Sequence, residues 1–207
     1  PRETTSDKIS IRELFCAEPG YKLVAADYSG QEVAICAHVS GDPDYQKILL
    51  EGLDMHLYNA NLVFGLGIPE EKLRKTHPDY PALKKKYKAN GLRMKAKIFT
   101  FGILYGATKY RISEEFGCSL DEAERYVENY FKGFPVLRES IEDLHEQVKR
   151  RGYVRSLFGR YRRFKKQYND YTGRMEYSPK DMRQSFNFVV QSPGTDMVRA
   201  ACVKILN

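Results

Sequence analysis

The sequence lacks the features that define several other classes of protein. No apolar run in its 207 residues approaches the roughly 20 residues that a membrane-spanning helix needs, which argues against a membrane protein. The first ten residues, PRETTSDKIS, contain no apolar core and no initiator Met, so we expect no signal peptide and a segment of a longer protein. With 42% hydrophobic and 29% charged residues, the composition is that of a globular chain rather than a disordered or collagen-like one.

Cysteine is scarce and widely spaced. The four cysteines are Cys16, Cys36, Cys118 and Cys202. They form no Cys-x-x-Cys pair, and no histidine lies at zinc-ligand spacing from them. The sequence therefore predicts no zinc site and four buried thiols in a reduced compartment.

Acidic residues are missing from two long basic stretches. Residues 80–113 contain nine Lys and Arg and no Asp or Glu, and residues 147–169 repeat that composition. The rest of the chain then carries 16 of the 34 basic residues against all 27 acidic ones. This distribution predicts salt-sensitive contact with a polyanion at two surfaces. The alternative is a solvated Lys/Arg face without a partner.

Turn residues and apolar periodicity predict a mainly helical chain. Tyr21–Tyr28 (YKLVAADY) is expected to form a buried strand, and short strands and loops are expected over residues 153–178. A Pro-punctuated, Lys-rich connection is predicted from residue 65 to 91. Helices are predicted at 31–39, from 43, and at 55–64, 91–105, 113–116, 120–131, 135–151 and 179–190, with another beyond Pro193. We expect the early strand and the segments after residue 153 to share one subdomain.

Asp27 is the first candidate for chemistry. It ends the predicted strand, at an edge where a sheet exposes functional groups, and the backbone carbonyl of Tyr28 lies beside it. Carboxylate and carbonyl oxygens are the ligands that Mg²⁺ prefers. An Asp before a helix can equally serve as its N-cap, and the local sequence leaves both interpretations open.

The helix predicted over residues 91–105 carries a second group of candidates. Arg93, Lys97, Phe101 and Tyr105 follow one another at four-residue steps, which places all four on one face. Two cations followed by two rings suit a polyphosphate at one end and a stacked base at the other. No acid on this helix competes for the cations. The alternative is an amphipathic helix whose rings enter the core.

Two weaker signals complete the set. Arg183, Asn187 and Gln191 repeat the four-residue spacing on a later helix, and amides that donate and accept suit base edges in a minor groove. Such polar pairs are also common on plain surfaces. His56 lies near a helix start, where phosphate is favoured, although a lone histidine is more often structural.

Taken together, these motifs resemble family A, the polymerase-I-like DNA polymerases. Asp27–Glu32 (DYSGQE) resembles motif A, DYSQIE, and the pattern RxxxKxxxFxxxYG over Arg93–Gly106 matches motif B at every defining position. Tyr153–Arg163 (YVRSLFGRYRR) resembles the segment after the fingers. RxxxNxxxQ over Arg183–Gln191 matches the palm helix that follows the primer-template minor groove. The order is that of the family, and the resemblance covers nearly the whole chain.

The resemblance implies a predominantly helical α/β fold, in which a right-hand polymerase palm carries an inserted helical fingers subdomain. Residues 1–41 would form the N-terminal part of the palm, with motif A. Residues 42–150 would form the fingers, with the motif B helix at 91–105. Residues 151–207 would form the C-terminal part of the palm, truncated before motif C.

The implied activity is template-directed DNA synthesis. A dNMP would be transferred to a primer 3′-OH by in-line attack on the α-phosphate, assisted by two Mg²⁺ ions. The implied partners are primer-template DNA and deoxynucleoside triphosphates, with no membrane. The implied location is the cytoplasm or nucleoid, or a host cytoplasm for a viral protein.

The resemblance also implies roles for individual residues. Asp27 would bind both Mg²⁺ ions with help from the Tyr28 carbonyl. Glu32 would be a steric gate that closes on a ribose 2′-OH. Tyr105 would lie at the templating base and pair with Glu32.

The remaining motif residues would bind the substrates. Arg93 and Lys97 would hold the triphosphate, with His56 nearby, and Phe101 would pack against the sugar and base. The helix from Arg183 would place Asn187 and Gln191 at the minor groove of the nascent base pair.

The sequence departs from the family at several positions. Gly30 and Gln31 stand where Gln-Ile is usual, Ala34 replaces an Arg, and Thr100 stands where Asn is common. By the resemblance, these changes would affect template or sugar contacts rather than metal chemistry. Motif C, a His-Asp-Glu turn, should follow Leu206, so we expect the chain to lack the second catalytic carboxylate. It would then be inactive alone, through truncation or because motif C is on a separate polypeptide.

Two alternatives stay open. A single-subunit RNA polymerase fragment shares the motif A Asp and the Arg/Lys/Tyr helix, but Glu32 argues against it because that family keeps a small residue there. A non-catalytic nucleic-acid-binding module is favoured by the missing carboxylate. The complete motif B face argues against that module, since plain DNA binding needs no triphosphate pocket.

Overall fold

The computed structural model describes residues 14–206, in one unit that ends at Gly30 and a second that begins at Gln31. In the first unit, residues 21–28 have no regular secondary structure and are exposed, with Val24 91% exposed. The prediction of a buried strand at Tyr21–Tyr28 is therefore wrong. A strand needs a hydrogen-bonded neighbour, and no strand among residues 14–206 pairs with this segment.

The second unit consists mainly of helices, with two separate hairpins. The helices are α1 Gln31–Ser40, α2 Pro43–Leu50, α3 Met55–Phe64, α4 Tyr80–Ala89, α5 Leu92–Leu104, α6 Lys109–Phe116, α7 Leu120–Gly133, α8 Pro135–Arg151 and α9 Pro179–Leu206, with a 3₁₀ turn at Glu70–Leu73. The antiparallel pairs are β1 Tyr153–Arg155 with β2 Tyr161–Arg163, and β3 Gln167–Asn169 with β4 Arg174–Glu176. The predominantly helical α/β fold class is confirmed. Within the second unit, the described strands pair as these two hairpins, and the grouping of residues 21–28 with them in one subdomain stays a prediction.

Local capping signals set several helix ends where the sequence predicts them. The Asp54 carboxylate accepts hydrogen bonds from the first N–H groups of α3. Ser119 and Glu122 form a reciprocal capping box at the start of α7. Gly152, with φ of 73°, ends α8 in the left-handed region that glycine tolerates best.

Three helix predictions differ from the structure. The Lys-rich connection contains the 3₁₀ turn and α4, because Tyr80 and Tyr87 are buried and anchor α4 beside α5. Helix α6 begins at Lys109, four residues earlier than predicted. Helix α9 continues through Pro193, which is buried with Gly194 where α9 packs on α1 and α8. That packing compensates for the hydrogen bond that proline removes.

A buried aromatic cluster fixes the helices that carry the site. The hydroxyl groups of Tyr45 and Tyr130 lie 3.2 Å apart, and the Tyr45 and Phe134 rings pack edge-to-face at 4.8 Å. Helix α3 packs against both α5 and α7. Each such ring contributes about 1.5–3 kcal/mol by leaving water. Phe99 of α5 packs edge-to-face on Tyr130 at 5.6 Å, so the cluster supports the inner side of α5.

The cysteines differ in their exposure. Cys36 is buried, and burial raises the pKa of its thiol to about 12. Cys16 and Cys202 are exposed and Cys118 is half-buried, so the prediction of four buried thiols is wrong for these three. Within residues 14–206, no helix is long and apolar enough to cross a bilayer.

Candidate nucleotide and nucleic-acid site

Helix α5 presents its motif residues on an exposed face. Phe99 and Ile103 are buried on the inner side, whereas Lys97 is exposed and Phe101 and Tyr105 are half-buried. The Phe101 and Tyr105 rings stack with centroids 6.2 Å apart and planes at 30°. The motif rings are therefore only half-buried, and their role in binding a ligand stays a prediction.

Thr100, where the family commonly has Asn, faces the interior. It is fully buried, and its hydroxyl donates to the Ala96 carbonyl at 2.8 Å. The Asn59 amide donates to the same hydroxyl at 2.6 Å, which ties α3 to α5. This departure from the family pattern therefore affects helix packing rather than the exposed face of α5.

Arg93 lies at the N-terminal end of this face and is already paired. Its Nε lies 3.0 Å from Oδ2 of Asp54, and its Nη2 lies 3.2 Å from Oδ1. No acid lies on α5 itself, as expected, but the fold brings Asp54 to Arg93 from the start of α3. Burial would raise the pKa of Asp54, but hydrogen bonds from Arg93 and Tyr80 and the Arg93 charge lower it below the ordinary 3.8.

His56 lies two residues after Asp54 and close to Phe101. The two ring centroids are 6.4 Å apart. Burial, followed by the charge of Arg93, lowers the pKa of His56 to about 4, so the imidazole is neutral at pH 7. Its buried Nδ1 has no hydrogen-bond partner among the residues described. His56 therefore offers a ligand a polar contact rather than a charge.

Helix α1 contributes Glu32, whose carboxylate accepts a hydrogen bond from the Tyr105 hydroxyl. The contact implied by the family resemblance is thus present. Burial and this hydrogen bond raise the pKa of Tyr105 to about 12, so the phenol remains a donor at neutral pH. Glu32 also lines a cavity of about 470 Å³ with Gln191 of α9.

A larger cavity of about 620 Å³ lies between α5 and α6. Lys97 and Tyr105 line it from α5, Arg111 from α6 and Arg183 from α9. Gly106 allows Arg183 to approach, since a Cβ there would lie 2.3 Å from Cγ of Arg183. The fold thus brings Arg183 together with α5, which sequence spacing alone did not predict.

Asn187 and Gln191 occupy the next two turns of α9. Asn187 is half-buried, and its Oδ1 is buried without a hydrogen-bond partner in the described chain. Gln191 is exposed. Gln191 therefore presents its amide at the surface, whereas the Asn187 oxygen is enclosed.

Sequence reasoning missed two side chains that complete the site. Tyr80 donates to Oδ2 of Asp54 at 2.9 Å, and Arg111 adds a third cation to the larger cavity. Tyr80 lies 26 residues after Asp54 in a segment without a predicted helix, so no local pattern connects the two. In the sequence, Arg111 is only one of the nine cations of the basic stretch 80–113, and no motif singles it out.

Asp27 and Tyr28 lie in the first unit and are exposed. Their carboxylate and carbonyl oxygens match Mg²⁺ by donor type, but two donors are fewer than the ion needs. Across residues 14–206, no group of three or more His, Cys, Asp or Glu side chains is arranged to hold a metal ion. Metal binding at Asp27 stays a prediction.

The chain belongs to DNA polymerase family A, whose family model matches residues 1–207. It is 36% identical over 200 residues to the thermostable DNA polymerase I of Thermus aquaticus, and 37% over 198 residues to that of Thermus filiformis. Each alignment covers 94% of this chain and 21% of the relative, so the chain spans about a fifth of the curated relatives it matches.

A solved structure is similar in fold. It is the POL domain of Pol1 from M. smegmatis, in complex with DNA primer-template and dNTP. The match has a TM-score of 0.66 and 25% identity, and it covers 84% of this chain and 27% of that one.

Proposed function

We propose that this chain is the nucleotide-selecting part of a DNA polymerase that adds dNMP units to a primer 3′-OH under the direction of a template. Family membership supports DNA synthesis as the general activity. The observation that carries the proposal is the Tyr105–Glu32 hydrogen bond at the end of α5. It places a carboxylate beside the helix face that presents Lys97 and the stacked rings.

The cationic end of α5 would bind the triphosphate. Lys97 is exposed and lines the larger cavity, so its ammonium group is free to approach a phosphate. Arg93 would donate from the edge of its guanidinium that Asp54 does not occupy. Neutral His56 would add a hydrogen bond without adding charge. Held in this way, the α-phosphate can meet the primer hydroxyl in line.

The aromatic end of α5 would bind the sugar and bases. Phe101 would pack against the incoming sugar and base, and Tyr105 would lie at the templating base. Because Tyr105 donates to Glu32, the carboxylate is held in one position, where it would collide with a ribose 2′-OH. This arrangement favours a DNA polymerase over a single-subunit RNA polymerase.

The primer-template would lie along α9. Arg183, Asn187 and Gln191 would follow its minor groove. In this proposal, residues 1–41 and 151–207 belong to the palm and residues 42–150 to the fingers.

Asp27 and the Tyr28 carbonyl would provide ligands for Mg²⁺. When bound, Mg²⁺ stabilises charge on the phosphates and activates the primer hydroxyl. A two-ion centre needs more carboxylate oxygen than Asp27 supplies, so further oxygen ligands would have to join it. DNA synthesis would place the protein in the cytoplasm or at the nucleoid.

Primer extension by the polymerase that carries this chain tests the proposal. Glu32→Ala should raise rNTP use relative to dNTP use by about 10- to 200-fold, the range for one lost steric contact. Glu139→Ala, an exposed glutamate of α8, is the matched control and should leave the ratio unchanged. An unchanged ratio in Glu32→Ala would contradict the gate. Unaltered synthesis by Asp27→Ala would favour the binding-module alternative.

A further inference from the structure

Asp54 is the centre of a buried hydrogen-bond network. Its carboxylate is 2% exposed and accepts from five donors. The backbone N–H groups of His56 and Leu57 donate to Oδ1, at 3.0 and 3.2 Å. The Tyr80 hydroxyl donates to Oδ2 at 2.9 Å, and Arg93 donates to both oxygens. Because unsatisfied buried donors are costly, this carboxylate is held in one orientation.

The orientation of Asp54 fixes that of Arg93. A guanidinium is a planar fork of five N–H donors. Asp54 engages the edge formed by Nε and Nη2, whereas Nη1 makes no hydrogen bond within the described chain. The Arg93 side chain remains 25% exposed. One edge is therefore buried and paired, and the other remains available to an anion.

Tyr80 brings α4 into this arrangement. It is buried at the first residue of α4 and donates to the same Oδ2 that accepts from Nε of Arg93. Without the Tyr80 hydroxyl, Arg93 would be the only described side chain that donates to Oδ2. The carboxylate could then rotate, and Arg93 would rotate with it.

We propose that Asp54 and Tyr80 are positioning residues, which hold Arg93 by one edge so that Nη1 binds a phosphate of the incoming nucleotide. This inference rests on the proposed function. Neither residue touches the nucleotide. Their effect should be confined to the polyphosphate, since the sugar and base would meet Phe101 and Tyr105.

Steady-state kinetics and equilibrium binding with the polymerase that carries this chain test the inference. Tyr80→Phe removes one hydroxyl and keeps the buried ring. Arg93 would bind phosphate equally before and during reaction, so the KM for dNTP should rise about 3- to 10-fold with kcat nearly unchanged. Asp54→Asn should raise KM further. The Kd for dNTP should rise in both variants, while the Kd for the matching dNMP, which has a single phosphate, stays within twofold.

Tyr87→Phe is the matched control, because Tyr87 is a second buried tyrosine of α4 and does not contact Asp54. It should leave both nucleotide affinities unchanged. Equal KM values for Tyr80→Phe and Tyr87→Phe would overturn the inference, as would equal losses of dNTP and dNMP binding. Arg93→Ala and Lys97→Ala distinguish a failure of the positioning role from a failure of the proposed function. If both weaken dNTP binding while Tyr80→Phe does not, only the positioning role fails. If neither does, the proposed function fails.

Discussion

The two acid-free basic stretches of the chain hold their charges in different ways. The first, residues 80–113, lies mainly on helices α4 to α6, where Arg93 is locked to a buried carboxylate and Lys97 projects into a cavity. The second, residues 147–169, runs from the end of α8 through the first hairpin. There, Arg155 and Arg163 lie over the Tyr161 ring, at 5.7 and 6.0 Å from its centroid.

The contrast shows that a stretch of sequence without acidic residues can still have its cations paired in the fold. Each stretch receives an acid from elsewhere in the chain, Asp54 for Arg93 and Asp196 for Arg160. The lysines of α4 stay exposed and form no ion pair with described residues: Lys84, Lys85, Lys86 and Lys88. Helical lysines are point charges suited to phosphates. Guanidinium groups also bind phosphates, and their planar shape additionally allows stacking on rings.

Asp54→Ala should have the largest effect, because it breaks the buried pair on which the first stretch depends. Leaving Arg93 without its partner should lower the free energy of unfolding by about 3–5 kcal/mol. The pKa of Asp54 is lowered in the fold, so the pair stabilises the protein above the ordinary value of 3.8 and is lost as the pH falls below it. Urea unfolding between pH 6 and pH 3 measures both effects.

Asp196→Ala provides the control for that measurement. Its partner Arg160 is an exposed arginine of the second stretch, so the loss should be at most about 1 kcal/mol. Equal losses of unfolding free energy for Asp54→Ala and Asp196→Ala would show that the two ion pairs stabilise the fold to the same extent.

Lys97→Ala tests whether the first stretch binds the nucleotide. Loss of one preorganised charged donor should lower kcat/KM for dNTP about 10²- to 10³-fold in the complete polymerase. Lys95→Ala is the control, because Lys95 lies on the same helix over the Phe116 ring and outside the larger cavity. Similar kinetics for the two variants would show that Lys97 contributes only general charge.

Gly106→Ala tests the contact between α9 and the end of the first stretch. The glycine has φ of 74°, and the added Cβ would meet the Arg183 side chain. We expect a loss of about 2–3 kcal/mol in unfolding free energy. Gly117→Ala has a similar φ of 62° with nothing within 4 Å of the added Cβ, so it should lose only about 1 kcal/mol. Equal losses would mean that Arg183 moves aside at no cost.

The double variant Arg155→Ala, Arg163→Ala tests whether the second stretch binds DNA. We expect its effect to be the smallest of the five. If both cations contact phosphates of a duplex, the slope of log K against log salt should become shallower by about 1.8. The control is Arg125→Ala with Arg138→Ala, since both arginines are ion-paired with glutamates. Fluorescence anisotropy with a labelled primer-template measures the slopes. An unchanged slope would assign these arginines to the hairpin alone.

Much of the fold follows from the sequence because helix ends depend on short-range contacts. Asp54, Ser119 and Pro135 begin helices, and Gly152 ends one, through interactions that span four residues or fewer. The family motifs likewise predicted the Tyr105–Glu32 contact, which joins α5 to α1.

Other features were missed because distant partners decide them. Residues 21–28 have apolar strand character, but a strand requires a neighbour to complete its hydrogen bonds. Helix α4 depends on burying Tyr80 and Tyr87, and α9 passes through Pro193 because its neighbours pack around it. No local propensity reports these contacts.

The spacing of four side chains on α5 was determined by the sequence alone, because helical geometry puts every fourth residue on the same face. The tertiary structure decided which of those side chains are free. Arg93 is held because α3 brings Asp54 to it from 39 residues away, and α4 adds the Tyr80 hydroxyl. Lys97 lines a cavity and forms no ion pair with any of residues 14–206. Whether a charged side chain is paired depends on the residues beside it in space, and only the packing of the helices brings those residues together.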